Sequence, residues 1–474
     1  MRYKWFSLMS MLLVAVLLIA GCGPTATEAP PAEEPTEPPA AEEPTEAPVA
    51  TEKVRIRWFV GLGTGGQPEH IEAQNQVVEE FNASQDEIEL VIEIVDNQVA
   101  YDQLATQIAS GNPPDIVGPV GVRGSNAFSG LWLDLAPLVE STGYDLTQFD
   151  EAAVSFYKVE GEGQIGLPFA VFPSVIFYNK DLFDEAGLDY PPHKVGEAYA
   201  DGDPWTVEKL EELALILTVD ANGNDATSPD FDEDSIEQFG FAEQWSAATR
   251  MATLFGAGSV VAPDGETAQI PDHWRTAFKW YYDGMWKKWF IPNENYASSD
   301  MLGNGNVFNS NHVAMAKTHL WYVCCLGDVE NWDIAVNPEY DGQMTSPLHA
   351  DTFRILKGTK HPDEAFAVLT YLLGEGSPTL LDAYGAFPGR KAGQAAFFAG
   401  LDERFPQGVD WQVVIDSLSH PDIPSHEANM PNFQEADDRV AAFWTLMGSE
   451  GTLDIDAQMD TLVKDLQVIF DKEE

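Results

Sequence analysis

Gly61, Gly63 and Gly66 spell G-x-G-x-x-G within GLGTGG. Between a strand and a helix, that spacing lets backbone approach a pyrophosphate and offers it N–H groups. The acid that should hold the ribose is badly placed. Asp96 lies 30 residues after Gly66, against about 20 in dinucleotide-binding turns. The same turn has a second use: it lets backbone come close to any ligand and frees N–H groups at a helix start for its oxygens. Other chemistries lack their residues. The chain has no G-x-S-x-G, no G-x-x-x-x-G-K-[ST] and no H-E-x-x-H; His426-Glu427 is followed by Ala428-Asn429-Met430. Cys324 and Cys325 are neighbours, which gives no zinc spacing. They either close a vicinal disulfide or remain two buried thiols. The stretch DANGND at 220–225 offers oxygens at its first, third and fifth positions. Asp225 stands where a calcium loop needs glycine, and Phe231 where it needs glutamate, so a polar turn without metal is expected. No cofactor is expected.

Elements must position whatever chemistry there is. VRIRWFV (54–60) reads as a strand, 67–82 as a helix, EIELVIEIV (87–95) as a strand and 99–110 as a helix stopped by Gly111-Asn112-Pro113-Pro114. Asp115-Ile116-Val117 begins a third strand. This alternation predicts an α/β chain with an open parallel sheet, whose ligands sit at strand carboxyl ends. SVIFY (174–178) is a further strand, and NKDLFDEAG a short helix closed by Gly187. Thr206 is an expected N-cap. The aromatic-rich stretch 243–290 reads as helical, with Trp274, Trp280, Trp286 and Trp289 at core spacing. Residues 362–373 and a stretch from about Leu453 read as amphipathic helices.

The N-terminus reads as an address. Arg2 and Lys4 precede an apolar run, Phe6 to Ile19, too short for a comfortable span, and it ends Leu18-Ile19-Ala20-Gly21-Cys22. That resembles a bacterial lipobox, so Cys22 is the expected lipidated N-terminus of an exported, membrane-anchored protein. Residues 23–52 are Pro-, Glu- and Thr-rich and read as an extended, disordered spacer. Acidic residues outnumber basic ones 77 to 25, for a net charge of −52. Such a charge repels nucleic acid and anionic surfaces and suits a neutral or cationic ligand.

Several stretches then occur in one order: VAYDQLATQIASGNPPDIV, LWLDLAPLVE, IGLPFAVFPSVIFYNKDLFDEAGL, PWTVEKLEELA, HVAMAKTHLW, KGTKHPDEAFAVLTYLL and AYGAFPGRKA. Together they resemble the family 1 extracellular solute-binding proteins, the sugar-binding receptors of ABC importers. The resemblance implies a two-lobed, type II periplasmic-binding-protein fold (a Venus flytrap) with a ligand cleft between lobes that closes by hinge bending. It implies no catalysis, a carbohydrate ligand, permease subunits as partners and a monomer. Residues 53–168 plus 305–347 are the expected N-terminal lobe, and 169–304 plus 348–474 the C-terminal lobe, so HVAMAKTHLW falls in the first. Receptors for a phosphorylated polyol, a polyamine or a peptide, and a tethered extracellular enzyme, are the alternatives.

A sugar presents an apolar face and a ring of hydroxyls, which asks for aromatic surfaces and planar polar groups. Trp58, ending the first strand, is a cleft or a core residue. Gly63 belongs to a possible cleft rim. The resemblance implies ligand contacts by Arg123, Phe172, Trp245, Trp321, Tyr384, Phe387 and Arg390. Arg123 has a surface ion pair, and Arg390 a structural role, as alternatives. At Phe172 the family's maltose receptors carry a carboxylate, which argues against maltose. In HVAMAKTHLW, His319 stands where the family's A-M-x-x-x-G-x-W has glycine.

Overall fold

A computed structural model describes residues 53–63, 65–159, 161–426 and 430–472. Cys22, the expected signal peptide and the expected spacer lie outside the described residues. Glu52–Glu474 forms one compact unit.

The strands are β1 (Val54–Val60), β2 (Ile88–Ile94), β3 (Ile116–Val120), β4 (Lys158–Val159), β5 (Gly163–Gln164), β6 (Leu167–Asn179), β7 (Val219–Asp220), β8 (Ile236–Glu243), β9 (Val313–His319), β10 (Trp332–Ala335), β11 (Glu339–Tyr340), β12 (Gln343–Met344) and β13 (Leu348–Ile355). The helices are α1 (Pro68–Ser84), α2 (Asn97–Ala109), α3 (Val122–Ala127), α4 (Ala136–Thr142), α5 (Glu151–Phe156), α6 (Lys180–Ala186), α7 (Val207–Ile216), α8 (Ala248–Ala252), α9 (Asp272–Trp286), α10 (Glu294–Ala297), α11 (Pro362–Leu373), α12 (Ser377–Tyr384), α13 (Lys391–Arg404), α14 (Gln412–Ser417), α15 (Phe433–Ser449) and α16 (Ile455–Phe470).

One long strand organises the sheet. All thirteen residues of β6 are buried, as an apolar run with neighbours on both edges requires. Its first part, Leu167–Pro173, pairs with β13, and β13 pairs with β3 in the order β2-β1-β3-β13-β6. Its second part, from Ser174, pairs with β9 and β10, and the order continues β9-β8-β7. Two α/β halves therefore share β6. The chain crosses between them beside Ser174, whose N–H donates to Pro347 O at 3.0 Å and whose carbonyl accepts the Ser346 hydroxyl at 2.7 Å.

The β-α-β-α-β start forms as its periodicity predicts, with β1 parallel to β2 and β3. Thr206 caps α7 through its hydroxyl, and Gly187 closes α6 in the left-handed region. Two expectations are corrected. Val313–His319 was expected in the first lobe, but β9 is buried along its length between β8 and the second part of β6. Conversely β13, expected in the second lobe, pairs with β3, and α11 packs on β1 and β13. The division at 305–347 and 348–474 thus has these strands reversed, because a strand buried on both faces must find two neighbours and only the pairing says which. The stretch 243–290 is not one helix either. Only α8, one short 3-10 turn and α9 are helical there, since Gly256, Gly258, Pro263 and Gly265 interrupt the pattern. Its tryptophans are core as expected for Trp274, fully buried, while Trp280, Trp286 and Trp289 pack partly buried against the core.

Candidate functional site

Two indoles meet at adjacent strand ends. β8 and β9 run parallel, with Glu243 opposite Lys317, so their carboxyl ends lie side by side. Past β8, Trp245 adopts φ 48° and stands 45% exposed. A bulky residue in that region is strained, and such strain collects at functional sites. Surrounding bonds hold it. Gln244 donates to Gly305 O at 3.1 Å and accepts from Phe308 N at 3.2 Å. The Arg250 guanidinium donates to Trp245 O and to the Ser246 hydroxyl. Past β9, a 3-10 turn, Leu320–Cys325, carries Trp321. The Trp245 and Trp321 rings stack, with centroids 6.1 Å apart and planes 9° apart. Tyr322 buttresses Trp245 edge-on at 5.4 Å.

Beside Trp321 the rings change character. His319 stacks on Trp321 at 6.0 Å and on His349 at 3.9 Å, and His349 lies 6.0 Å from His426. Arg250 Nη1 is 3.3 Å from His349 Nε2. His426 Nδ1 meets Asp422 Oδ2 at 2.6 Å, both fully buried. Neither ring nitrogen of His319 has a hydrogen-bond partner among the described residues. Burial pushes the His319 imidazole well below its ordinary value, with His349, Arg250, His426 and Lys317 adding to the effect. Burial, then Arg250 and His426, does the same to His349. Both rings are therefore neutral near pH 7. Deeper in, Lys317 Nζ lies 3.4 Å from Glu243, and Tyr281 donates its hydroxyl to the same carboxylate. Burial lowers the Lys317 ammonium, and Glu243 opposes that. A cavity of about 170 Å³ opens here, lined among others by Glu243, Trp245, Ser246, Glu294 and Trp444.

The other expected site residues divide. Phe172 pairs across the ladder with His349, which sets it beside this cluster. Gly63 lies at the carboxyl ends of β1 and β3, where an added Cβ would sit 2.9 Å from Pro119 O. Tyr384 joins the glycine loop: its hydroxyl accepts from Gln74 at 2.7 Å, and Gln74 also donates to Gly65 O at 2.8 Å. Gly61, at φ 153°, allows a close packing, since a Cβ there would meet Val95 O at 2.6 Å. Arg123 makes a surface pair with Asp437 at 3.7 Å. Two residues, Trp58 and Arg390, take the alternative that their sequence context left open, and Phe387 is a correction. Trp58 is fully buried and donates to Gly118 O at 2.7 Å, so it is core. Phe387 is fully buried against Phe397 and Phe398. Arg390 donates to Leu373 O at 3.3 Å and lines a separate cavity of about 560 Å³ with Tyr144 and Tyr371. Asp220, in the polar turn, accepts backbone N–H groups from Asn222, Asn224 and Asp232. Burial raises its carboxyl, and those bonds outweigh it, leaving the group at about 2.

Sequence reasoning missed Arg250, His349, Asp422 and Gln244, which come together only through long-range pairing. His319 did carry a signal, as the residue that replaces the motif's glycine.

Two α/β halves sharing crossing strands, with an aromatic platform at strand carboxyl ends, define the architecture of a two-lobed binding protein. Residues 67–377 match the bacterial extracellular solute-binding protein family, and the chain belongs to that family. It is 29% identical over 135 residues to an arabinooligosaccharide-binding protein of Halalkalibacterium halodurans, covering 27% of this chain and 30% of that one. It is 30% identical over 144 residues to an sn-glycerol-3-phosphate-binding periplasmic protein of Brucella abortus, covering 29% and 32%. The matched stretch thus spans about a third of these curated relatives' length. Among solved structures, UspC of M. tuberculosis aligns with TM-score 0.69 at 20% identity over 88% of this chain and all of that one. Lmo0181 of Listeria monocytogenes, in complex with cycloalternan, aligns with TM-score 0.64 at 19% identity over 88% and 99%. These likenesses show the fold. No helix among the described residues is long and apolar enough to cross a membrane.

Proposed function

We propose that this protein captures a carbohydrate outside the cell and delivers it to an ABC permease, acting as a monomer anchored to the membrane through a lipid on Cys22. It binds without turning its ligand over. One observation carries the reading: the Trp245–Trp321 pair offers flat apolar surface at the strand ends where such sheets hold ligands. Arg250 and His349 lie close by and can pair with hydroxyls. The arabinooligosaccharide-binding relative supports the same class. Gly63, Phe172 and Tyr384 belong to the proposed site as further wall residues, and Arg123 bridges to α15 at its edge.

The same Arg250–His349 pair favours a second reading, a phosphorylated polyol, for which the glycerol-phosphate-binding relative speaks. A thermal-shift screen against sugars, oligosaccharides, glycerol 3-phosphate and NAD separates them. A ligand at 100 times its Kd stabilises by about 2.7 kcal/mol. Carbohydrate shifts support the first reading. A shift with glycerol 3-phosphate alone selects the second, and glycoside hydrolysis by the pure protein contradicts both.

A further inference from the structure

Cys324 and Cys325 form a disulfide between neighbours, with Cα atoms 3.8 Å apart. Such a bond staples nothing distant; it constrains only its own peptide unit and the turn around it. That turn is the one carrying Trp321 and Tyr322. Its last carbonyls are held from two sides. Cys324 O accepts from Arg404 at 3.1 Å, and Cys325 O accepts from Asn306 at 3.1 Å. Asn306 also accepts the Tyr322 hydroxyl at 2.5 Å. The preceding residue, Gly305, accepts from Gln244, which directly precedes Trp245. A continuous set of bonds thus runs from the Cys325 carbonyl, next to the disulfide's peptide unit, through Asn306 and Gly305 to the backbone of one indole, while the other indole sits on the same turn. Cys324 is exposed, so a reductant can reach the bond.

We infer that the Cys324–Cys325 disulfide is a positioning element for the Trp245–Trp321 platform, so that ligand affinity depends on its redox state. The inference rests on the carbohydrate reading above. A dithiol such as dithiothreitol supplies two electrons and two protons. The S–S bond breaks to two thiols, and the reagent leaves as its cyclic disulfide. The opened turn lets the Cys325 carbonyl move off Asn306, and with it Tyr322 and Trp321.

The test uses the full-length chain oxidised, reduced and reoxidised after reagent removal, with thiols counted by mass spectrometry. Tryptophan emission and carbohydrate titration are read in each state. Reduction is expected to shift the emission and weaken binding about fivefold or more, and reoxidation to restore both. A Cys324→Ser/Cys325→Ser variant should match the reduced protein and ignore reductant. Equal affinity in fully oxidised and fully reduced protein overturns the inference. If the oxidised protein binds no carbohydrate, the functional reading fails separately, and the emission arm decides alone: an unchanged spectrum overturns the positioning role.

Discussion

At the scale of single residues, the role proposed for Trp245 sets function against stability. Its φ of 48° costs about 1–2 kcal/mol for a non-glycine residue, and the residue is 45% exposed. Trp245→Gly should relieve that strain. Unfolding free energy in denaturant should change by less than about 1 kcal/mol, while carbohydrate affinity falls tenfold or more, about 1.4 kcal/mol. Trp321→Ala should cost binding similarly. His319 and His349 make a separate prediction. Their folded-state values lie well below the ordinary 6.5, so the unfolded chain takes up protons first on acidification. Their contribution is fully present above about pH 6.5 and declines as pH falls from there toward the depressed values. The melting temperature should drop across that window, and His319→Phe, which cannot charge, should flatten the slope. A variant with the unchanged slope would contradict the neutral, buried assignment.

At the scale of elements, the legible parts were those with a local signal. The alternation through 54–117, the cap at Thr206 and the helix at 362–373 all rest on spacing within a few residues. The assignment of β9 and β13 to opposite halves does not, because both are short, buried apolar runs that pattern alone cannot pair. Trp58 and Trp245 show the same limit at the site. Trp58 lies within β1 and turns into the core to reach Gly118 O, while Trp245 lies just past β8 and stands half-exposed. Helix-on-sheet packing gives a sharper test. A Cβ at Gly240 on β8 would lie 1.9 Å from the Ala214 carbonyl on α7. Gly240→Ala should destabilise by about 3 kcal/mol or more, since backbone must move, whereas Gly265→Ala meets no neighbouring atom within 4 Å and pays only for its positive φ. Chemical denaturation of the two variants measures the difference.

At the scale of the whole molecule, a shared strand and crossing segments place one platform of rings beside the point where the halves join. The histidine cluster sits at that crossing, through the pairings of His349 with Phe172 and of His319 with Ser174. On the proposed carbohydrate reading, the ligand contacts therefore lie next to the segments that cross between the halves. The most direct measurement is a calorimetric titration of the purified chain and its Trp321→Ala variant with a panel of mono- and oligosaccharides and glycerol 3-phosphate. Saturable binding of at least one carbohydrate is expected, weakened tenfold or more in the variant. Carbohydrate binding of equal strength in both proteins, or heat only with glycerol 3-phosphate, would contradict that expectation.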